Sequence, residues 1–446
     1  MSVTRYAAIN IAGAGLAVHP VHFICTTTAE LPSSAMKLGD TAIALDTNVI
    51  YKAASTSTWT AADTASNYSA TVTNISGTYI ATDRTGSTIS SGTSAQNVIN
   101  AAIDAVTTQG GYVFIAAGEY LLTAPIIVKD GVGLVGEGNW GRDADGGAGR
   151  AEGTVIRADA SALTKLIEFD SAGHQMRIEN IALDCDPASG TNATCGIYVR
   201  SGETRVINCG VINATGYGIL CDVRASGTAL ITPSGTAAAS ANTVAVQVSH
   251  CMTVDNAIGI YIAATLSDCD IIGNRVLGSS GTAGIYLDGG GAQVIDNHIT
   301  TNTSGSTSSL TLASSNAMVM GNYFDHVNLT TGTALVNASG TNRSTIQGNY
   351  FTDPPTSKPC ILAAHDFRGS ISGNTYSADG GNSFVQSNTS AFSNTAIMGN
   401  FGRKGIASSP NWVSEVIGST GTVYGSMSTP YALNNNYFAG NGSYLG

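Results

Sequence analysis

Glu168, Asp170, Arg200, Asp222 and Asp288 are the charges best placed to do chemistry, because they recur at equivalent positions of one repeated five-residue segment. The segment reads Leu166-Ile167-Glu168-Phe169-Asp170, Gly196-Ile197-Tyr198-Val199-Arg200, Gly218-Ile219-Leu220-Cys221-Asp222, Gly259-Ile260-Tyr261-Ile262-Ala263 and Gly284-Ile285-Tyr286-Leu287-Asp288. Its second and fourth residues are all apolar, so strand alternation turns them inward and the third and fifth toward solvent. Stacked strands repeat every ~4.8 Å, which sets Asp170 and Asp222 roughly 9–10 Å apart with Arg200 between them. Inverting glycoside hydrolysis uses two carboxyl groups about 6.5–9.5 Å apart, one acid and one base, with a water between them. Asp170, Asp222 and Glu168 are therefore the catalytic candidates. Arg200 can hold a carboxylate ionised or grip an acidic sugar, Tyr198, Tyr261 and Tyr286 offer flat faces to sugar rings, and Asp288 extends the same binding column. The plainer reading is a solvated strand face on which Arg200 makes a surface ion pair.

The segments beside this column add further candidates. Val223 to Thr243 is a long insertion after Asp222 and carries Arg224, while Glu203 and Arg205 follow Arg200; all three are second-rank substrate-binding residues, since long loops on a repetitive scaffold gather binding groups. A lyase would instead need a base beside a uronate carboxylate and a cation to neutralise it, a task open to Arg200, Arg205 or Arg224. Asp184 and Asp186 could then hold calcium. For hydrolysis no cofactor or metal is expected, and the histidines fall on different repeats. Asp268, Asp270 and Asp296 sit beside the asparagine turns described next and are expected to cap them. Gly131-Val132-Gly133-Leu134-Val135-Gly136 matches a dinucleotide fingerprint, but no helix follows it.

A second repeat reveals the elements that must hold these groups. Asn274, Asn297, Asn322, Asn349, Asn374 and Asn400 are spaced by 23, 25, 27, 25 and 26 residues, each flanked by apolar positions. That period fits one coil of a parallel β-helix, with asparagine in a left-handed turn and its amide bonded to the amides above and below. Cys209 and Cys251 occupy similar positions in earlier coils and Cys221 points inward, so the cysteines read as buried thiols. Upstream, Thr93-Ser94-Ala95-Gln96 suggests a capping box, and Val98, Ile99, Ala102, Ile103 and Val106 follow at helical spacing up to Gly110-Gly111. Such a helix can cover the open apolar end of the coils.

Composition supports this architecture and narrows the partners. Charged residues are only 11% of 446, against about 25% in an average soluble protein, while glycine is abundant at 53 residues. A net charge of -11 without a basic face argues against nucleic acid. No apolar run spans a membrane, and the first 22 residues lack a basic cluster and cleavage site, so a signal peptide is not expected. Three regions are expected: a small β-rich module at 1–82, coils at 83–403, and a cap or subunit contact at 404–446, where the period is lost.

The stretch 95–138, AQNVINAAIDAVTTQGGYVFIAAGEYLLTAPIIVKDGVGLVGEG, resembles the opening of the pectate-lyase-like β-helix family of phage tailspikes and polysaccharide-degrading enzymes. TVIRAD, LIEFD and MRIENIALD, within 154–184, continue the resemblance, which spans about 83–403. It implies an all-β fold: a right-handed parallel β-helix with an N-terminal capping helix and small β-rich terminal segments. The implied function is a tailspike-like polysaccharide depolymerase, a glycoside hydrolase forming a homotrimer in a virion tail or the extracellular space. A uronate lyase and a non-enzymatic glycan-binding fibre or adhesin are the alternatives, because the fold hosts all three.

Overall fold

The computed structural model describes residues 68–138, 153–159, 163–170, 173–186, 192–222, 243–301, 308–313, 316–326, 332–338, 343–352, 358–364, 367–378, 384–387, 396–398 and 400–404, with short strands before and after them. Three parallel sheets stack coil upon coil, and each coil contributes one strand to each sheet. The chain runs through a column face (for example Cys195–Val199), then a groove face (Thr204–Ile207), then a third face (Gly210–Ile212) before beginning the next coil. The all-β, parallel β-helical fold expected from the two repeats is the fold observed.

Inward side chains form one continuous core. Ile167, Phe169, Ile197, Val199, Ile219, Cys221, Ile260, Ile262, Ile285 and Leu287 are all buried in it, as the alternation requires. The glycine that opens each repeat has a packing cause: a Cβ on Gly196, Gly218 or Gly259 would press on the carbonyl oxygen of the matching glycine one coil on. Only hydrogen fits there.

The asparagine ladder lies at the bend between groove face and third face, and its side chains point inward. Each Nδ2 donates to the next Oδ1, from Asn274 to Asn297 at 2.9 Å, Asn297 to Asn322 at 2.9 Å, Asn322 to Asn349 at 2.9 Å, Asn349 to Asn374 at 3.0 Å and Asn374 to Asn400 at 2.9 Å. The same Oδ1 atoms accept from the preceding asparagine's backbone N–H, as between Asn297 and Asn322. One detail differs from expectation: the left-handed residue is the one before the asparagine, namely Gly273, Asp296, Gly321, Gly348 and Gly373. Sulfur continues the ladder, since Cys251 N–H donates to Asn274 Oδ1 at 2.8 Å and Cys209 N–H to Cys251 Sγ at 3.5 Å.

Asn322→Ala removes the acceptor of the buried Asn297 N–H, while the Asn297 amide keeps the carbonyls of Ile271 and Ile295, so we expect a loss of about 1–3 kcal/mol from one unsatisfied donor. Thermal melting would show it, with the exposed Gln347→Ala as a control expected within about 0.5 kcal/mol of the parent. Seven cysteines, 185, 195, 209, 221, 251, 269 and 360, are free and buried. Burial pushes the Cys269 thiol up to about 11 and those of Cys185, Cys209 and Cys221 well above the usual range. All seven thiols are shut away from reagent, so native protein treated with iodoacetamide is expected to leave them unalkylated by mass spectrometry until it unfolds.

The helix is Ala95–Thr107, with Val98, Ile99, Ala102, Ile103 and Val106 buried against the first coils. The capping box does not form. Ser94 makes no side-chain cap, and Gln96 turns to Thr123 instead, donating at 2.9 Å to its hydroxyl. The coil sheet begins before the helix: Ala70–Ile75 pairs in parallel with Gly111–Ile115 and antiparallel with Thr78–Asp83. Farther upstream, Thr41–Ala44 and Val49–Ala53 pair antiparallel. At the other end, Val416–Ile417 and Tyr437–Ala439 extend two of the sheets.

Candidate functional site

The carboxylates of the repeated segment lie in the register their spacing implies. Glu168 stands opposite Tyr198, Tyr198 opposite Leu220, Leu220 opposite Tyr261 and Tyr261 opposite Tyr286. The expectation that this face meets solvent is corrected. Tyr198, Leu220, Tyr261 and Asp222 are fully buried, Glu168 nearly so, and only Asp170, Arg200, Tyr286 and Asp288 are intermediate. Tyr198, Leu220 and Tyr261 form a second, outer hydrophobic cluster with Cys195, Tyr217, Ile258 and Ala263, and Tyr286 packs against it. Arg224 lies outside the described residues.

Within that cluster the charges are committed to one another. Glu168 is held between Lys165, 2.6 Å from Oε2, and Arg200, 2.6 Å from Oε1, and both cations sit over the Tyr198 ring at 5.2 and 5.8 Å. Lys165 had no role in the sequence reading. It precedes Glu168 by three residues, which places it at the start of the same strand. The Tyr198 hydroxyl donates to Asp222 at 3.4 Å, and so does that of Thr265. Tyr261 donates to Asp288 at 3.2 Å and stacks on Tyr286 with centroids 5.1 Å apart. Burial, with the Asp288 carboxylate beside them, pushes both phenols up. The tyrosine faces here are packed against protein.

The open concavity is on the neighbouring groove face, a groove of about 590 Å³. Its outward column runs Tyr112, Gly133, Arg177, Arg205, Gln247 and Asp270, opposite one another coil by coil. Glu203 lines it from the turn before the strand, in a left-handed conformation at φ 53°, and is exposed. Arg177 pairs with Glu179 at 2.7 Å. By contrast Glu203, Arg205, Gln247 and Asp270 make no side-chain hydrogen bond or ion pair with the described residues. Asp270 is a correction: it stands on a groove-face strand, Asp270–Ile272, and not in a capping turn. Asp268 and Asp296 are the left-handed residues of turns, and Asp184 is taken up by Arg157 at 3.6 Å and by Asn213.

Fold and sequence together decide the family. Residues 79–354 match the family described as rhamnogalacturonase A/epimerase, pectate lyase-like. The chain belongs to that family. No curated protein matches it. Among solved structures it is similar to the DFA-IIIase of Arthrobacter chlorophenolicus A6 without its lid, in complex with GF2, at 14% identity and TM-score 0.56, covering 79% of this chain and 97% of that one. The same enzyme crystallised in complex with GF2 as a separate structure gives 14% identity and TM-score 0.53, over 78% and 91%. The A-module of the mannuronan C-5 epimerase AlgE4 of Azotobacter vinelandii gives 16% and 0.50, over 77% and 91%. At these identities the likeness is one of fold.

In this pectate-lyase-like chain, then, two faces present carboxylates in different states. The column face is largely covered, and its Glu168, Asp222 and Asp288 carboxylates each have an ion-pair or hydrogen-bond partner. On the groove face, two arginines stand one coil apart with an uncommitted glutamate, glutamine and aspartate around an open channel. That arrangement can bind an anion and leaves two carboxylates available for proton transfer.

Proposed function

We propose that the chain is a carbohydrate-active enzyme that cleaves an anionic polysaccharide lying along the groove face, acting as a glycoside hydrolase. The observation that carries this reading is an open groove in which Glu203, Arg205 and Asp270 are all uncommitted to other side chains among the described residues. Asp270 stands two coils beyond Arg205, and Glu203 precedes Arg205 by two residues. The backbone positions of the carboxylates are thus offset by about 9–10 Å along the axis and by two residues, about 6–7 Å, along the strand, so their side chains must reach toward each other to meet the roughly 6.5–9.5 Å used for inversion through a trapped water. In this reading one carboxyl protonates the glycosidic oxygen and the other activates water. Arg205, with Arg177 behind it, holds an acidic substituent of the sugar through charge-assisted hydrogen bonds. A similar solved structure is an epimerase of mannuronan, so this fold accommodates acidic polymers elsewhere.

The exposed Arg205 favours one second reading, a lyase in which it neutralises a uronate while Glu203 removes the adjacent proton. Product chemistry separates the two. On a panel of acidic capsular and plant polysaccharides we expect new reducing ends without the ultraviolet absorbance of unsaturated sugars. Reducing ends accompanied by that absorbance would establish the lyase, and no product from any acidic polymer would refute the enzyme. The tailspike-like setting, a trimer in a virion tail or the extracellular space, belongs to the same proposal.

A further inference from the structure

The geometry points to a sugar-ring subsite at the end of this groove, formed by Tyr112 laid over Gly133, with Arg177 and Arg205 farther along the same column fixing the anionic group of a nearby sugar. The inference rests on the carbohydrate reading of the groove and adds to it the residues that set the substrate's position. Tyr112 is the first outward residue of the column and is 40% exposed, one of the few large apolar side chains that are. Its ring does not stand away from the sheet. A Cβ built on Gly133, one coil on, would collide with Tyr112 Cδ1 and Cε1, so the ring's edge fills the space that a side chain at 133 would occupy. Glycine at 133 is what allows the ring to lie down against the neighbouring coil.

The consequence is an aromatic surface at groove-floor level: Tyr112 itself is two coils from Arg177 and three from Arg205, and its ring leans one coil nearer by lying over Gly133. Coils rise by ~4.8 Å, so the ring and the Arg205 guanidinium are roughly 10–15 Å apart along the axis, about the length of two to three sugar units. A chain of sugars can therefore place one ring on Tyr112 and the carboxylate, sulfate or phosphate of a nearby unit on the arginines. The shared chemistry is an anionic oligosaccharide, and a flat apolar sugar face meets the ring as apolar groups meet aromatics elsewhere.

The test is calorimetric binding of short oligogalacturonate, oligomannuronate and a sulfated oligosaccharide, each beside its neutral counterpart. We expect an anionic oligosaccharide to bind, its neutral counterpart to bind at least tenfold more weakly, and added salt to weaken the anionic one. Tyr112→Ala is expected to weaken binding about tenfold. Gly133→Ala should do the same by displacing the ring, while in a Tyr112→Ala background it should have no further effect, since its role runs through Tyr112. The double variant also removes the collision, so its melting temperature should return toward that of Tyr112→Ala alone. Binding within twofold of the parent for Tyr112→Ala, an equal loss from Gly133→Ala in both backgrounds, or no anionic oligosaccharide bound would each overturn the subsite. Binding does not depend on turnover: intact binding without products from any polysaccharide sinks the enzyme reading and leaves the subsite standing.

Discussion

Glu168→Gln is expected to lower stability by about 3–5 kcal/mol, because it removes the carboxylate that the buried Lys165 and the mostly buried Arg200 share. Lys165, Glu168 and Arg200 have side chains only 6%, 8% and 11% exposed, so neither cation can recover its hydration without opening the outer cluster. The glutamine is isosteric, and packing around it changes little. A melting experiment on the variant beside the parent would read the loss. The triple replacement Lys165→Met, Glu168→Leu, Arg200→Met is the informative partner: apolar groups of similar volume often match or exceed a buried ion network, so its stability should lie above that of Glu168→Gln. A cost below about 1 kcal/mol for Glu168→Gln would mean that solvent reaches the trio, and the column face would again be a candidate for chemistry.

The column itself was legible in the sequence because the β-helix converts period into register. Segments such as Gly196-Ile197-Tyr198-Val199-Arg200 and Gly218-Ile219-Leu220-Cys221-Asp222 pair residue for residue once their inward isoleucines are aligned. The asparagine ladder was legible for the same reason. Burial of the outer face was not. Alternation states only that Tyr198 and Tyr261 point away from the coil interior, and whether water or protein meets them depends on contacts remote in the sequence. The clue was compositional: three tyrosines and a leucine at outward positions are a poor solvent face but a good second core.

The groove was harder to see. Groove-face strands such as Arg177–Glu179 and Asp270–Ile272 are three residues long with one inward residue each, too short for alternation to register. A signal did exist. Counting back four residues from each ladder position, Cys209, Cys251, Asn274 and Asn297, gives Arg205, Gln247, Asp270 and Gln293, which is the outward column of that face. Asp270 lies only four residues before Asn274, and that closeness along the chain suggests a turn-capping role. The ladder places the turn after Ile272, which leaves Asp270 on the strand.

The two faces make opposite demands on activity. Glu203→Gln and Asp270→Asn are each expected to reduce kcat on a cleavable acidic polysaccharide by about 10²–10⁴, the usual contribution of a positioned acid or base. Both residues line an open groove without a side-chain partner among the described residues, so melting temperatures should stay within a degree or two of the parent, roughly the ±0.5 kcal/mol of an exposed substitution. Asp222→Asn should show the reverse pattern. Asp222 is fully buried and accepts hydrogen bonds from Tyr198 and Thr265, so its replacement should lower the melting temperature while kcat, measured well below that temperature, changes by only a few-fold. Asp170, half-buried at the end of the same column, should behave like Asp222. If Asp170→Asn and Asp222→Asn abolish cleavage with folding intact while Glu203→Gln and Asp270→Asn do not, cleavage belongs to the column face. The cluster over it would then have to open for substrate, because a glycosidic oxygen cannot reach a carboxylate enclosed by Tyr198, Thr265 and their neighbours. A groove whose carboxylates already face water needs no such rearrangement, and that difference is why the larger loss of kcat is expected there.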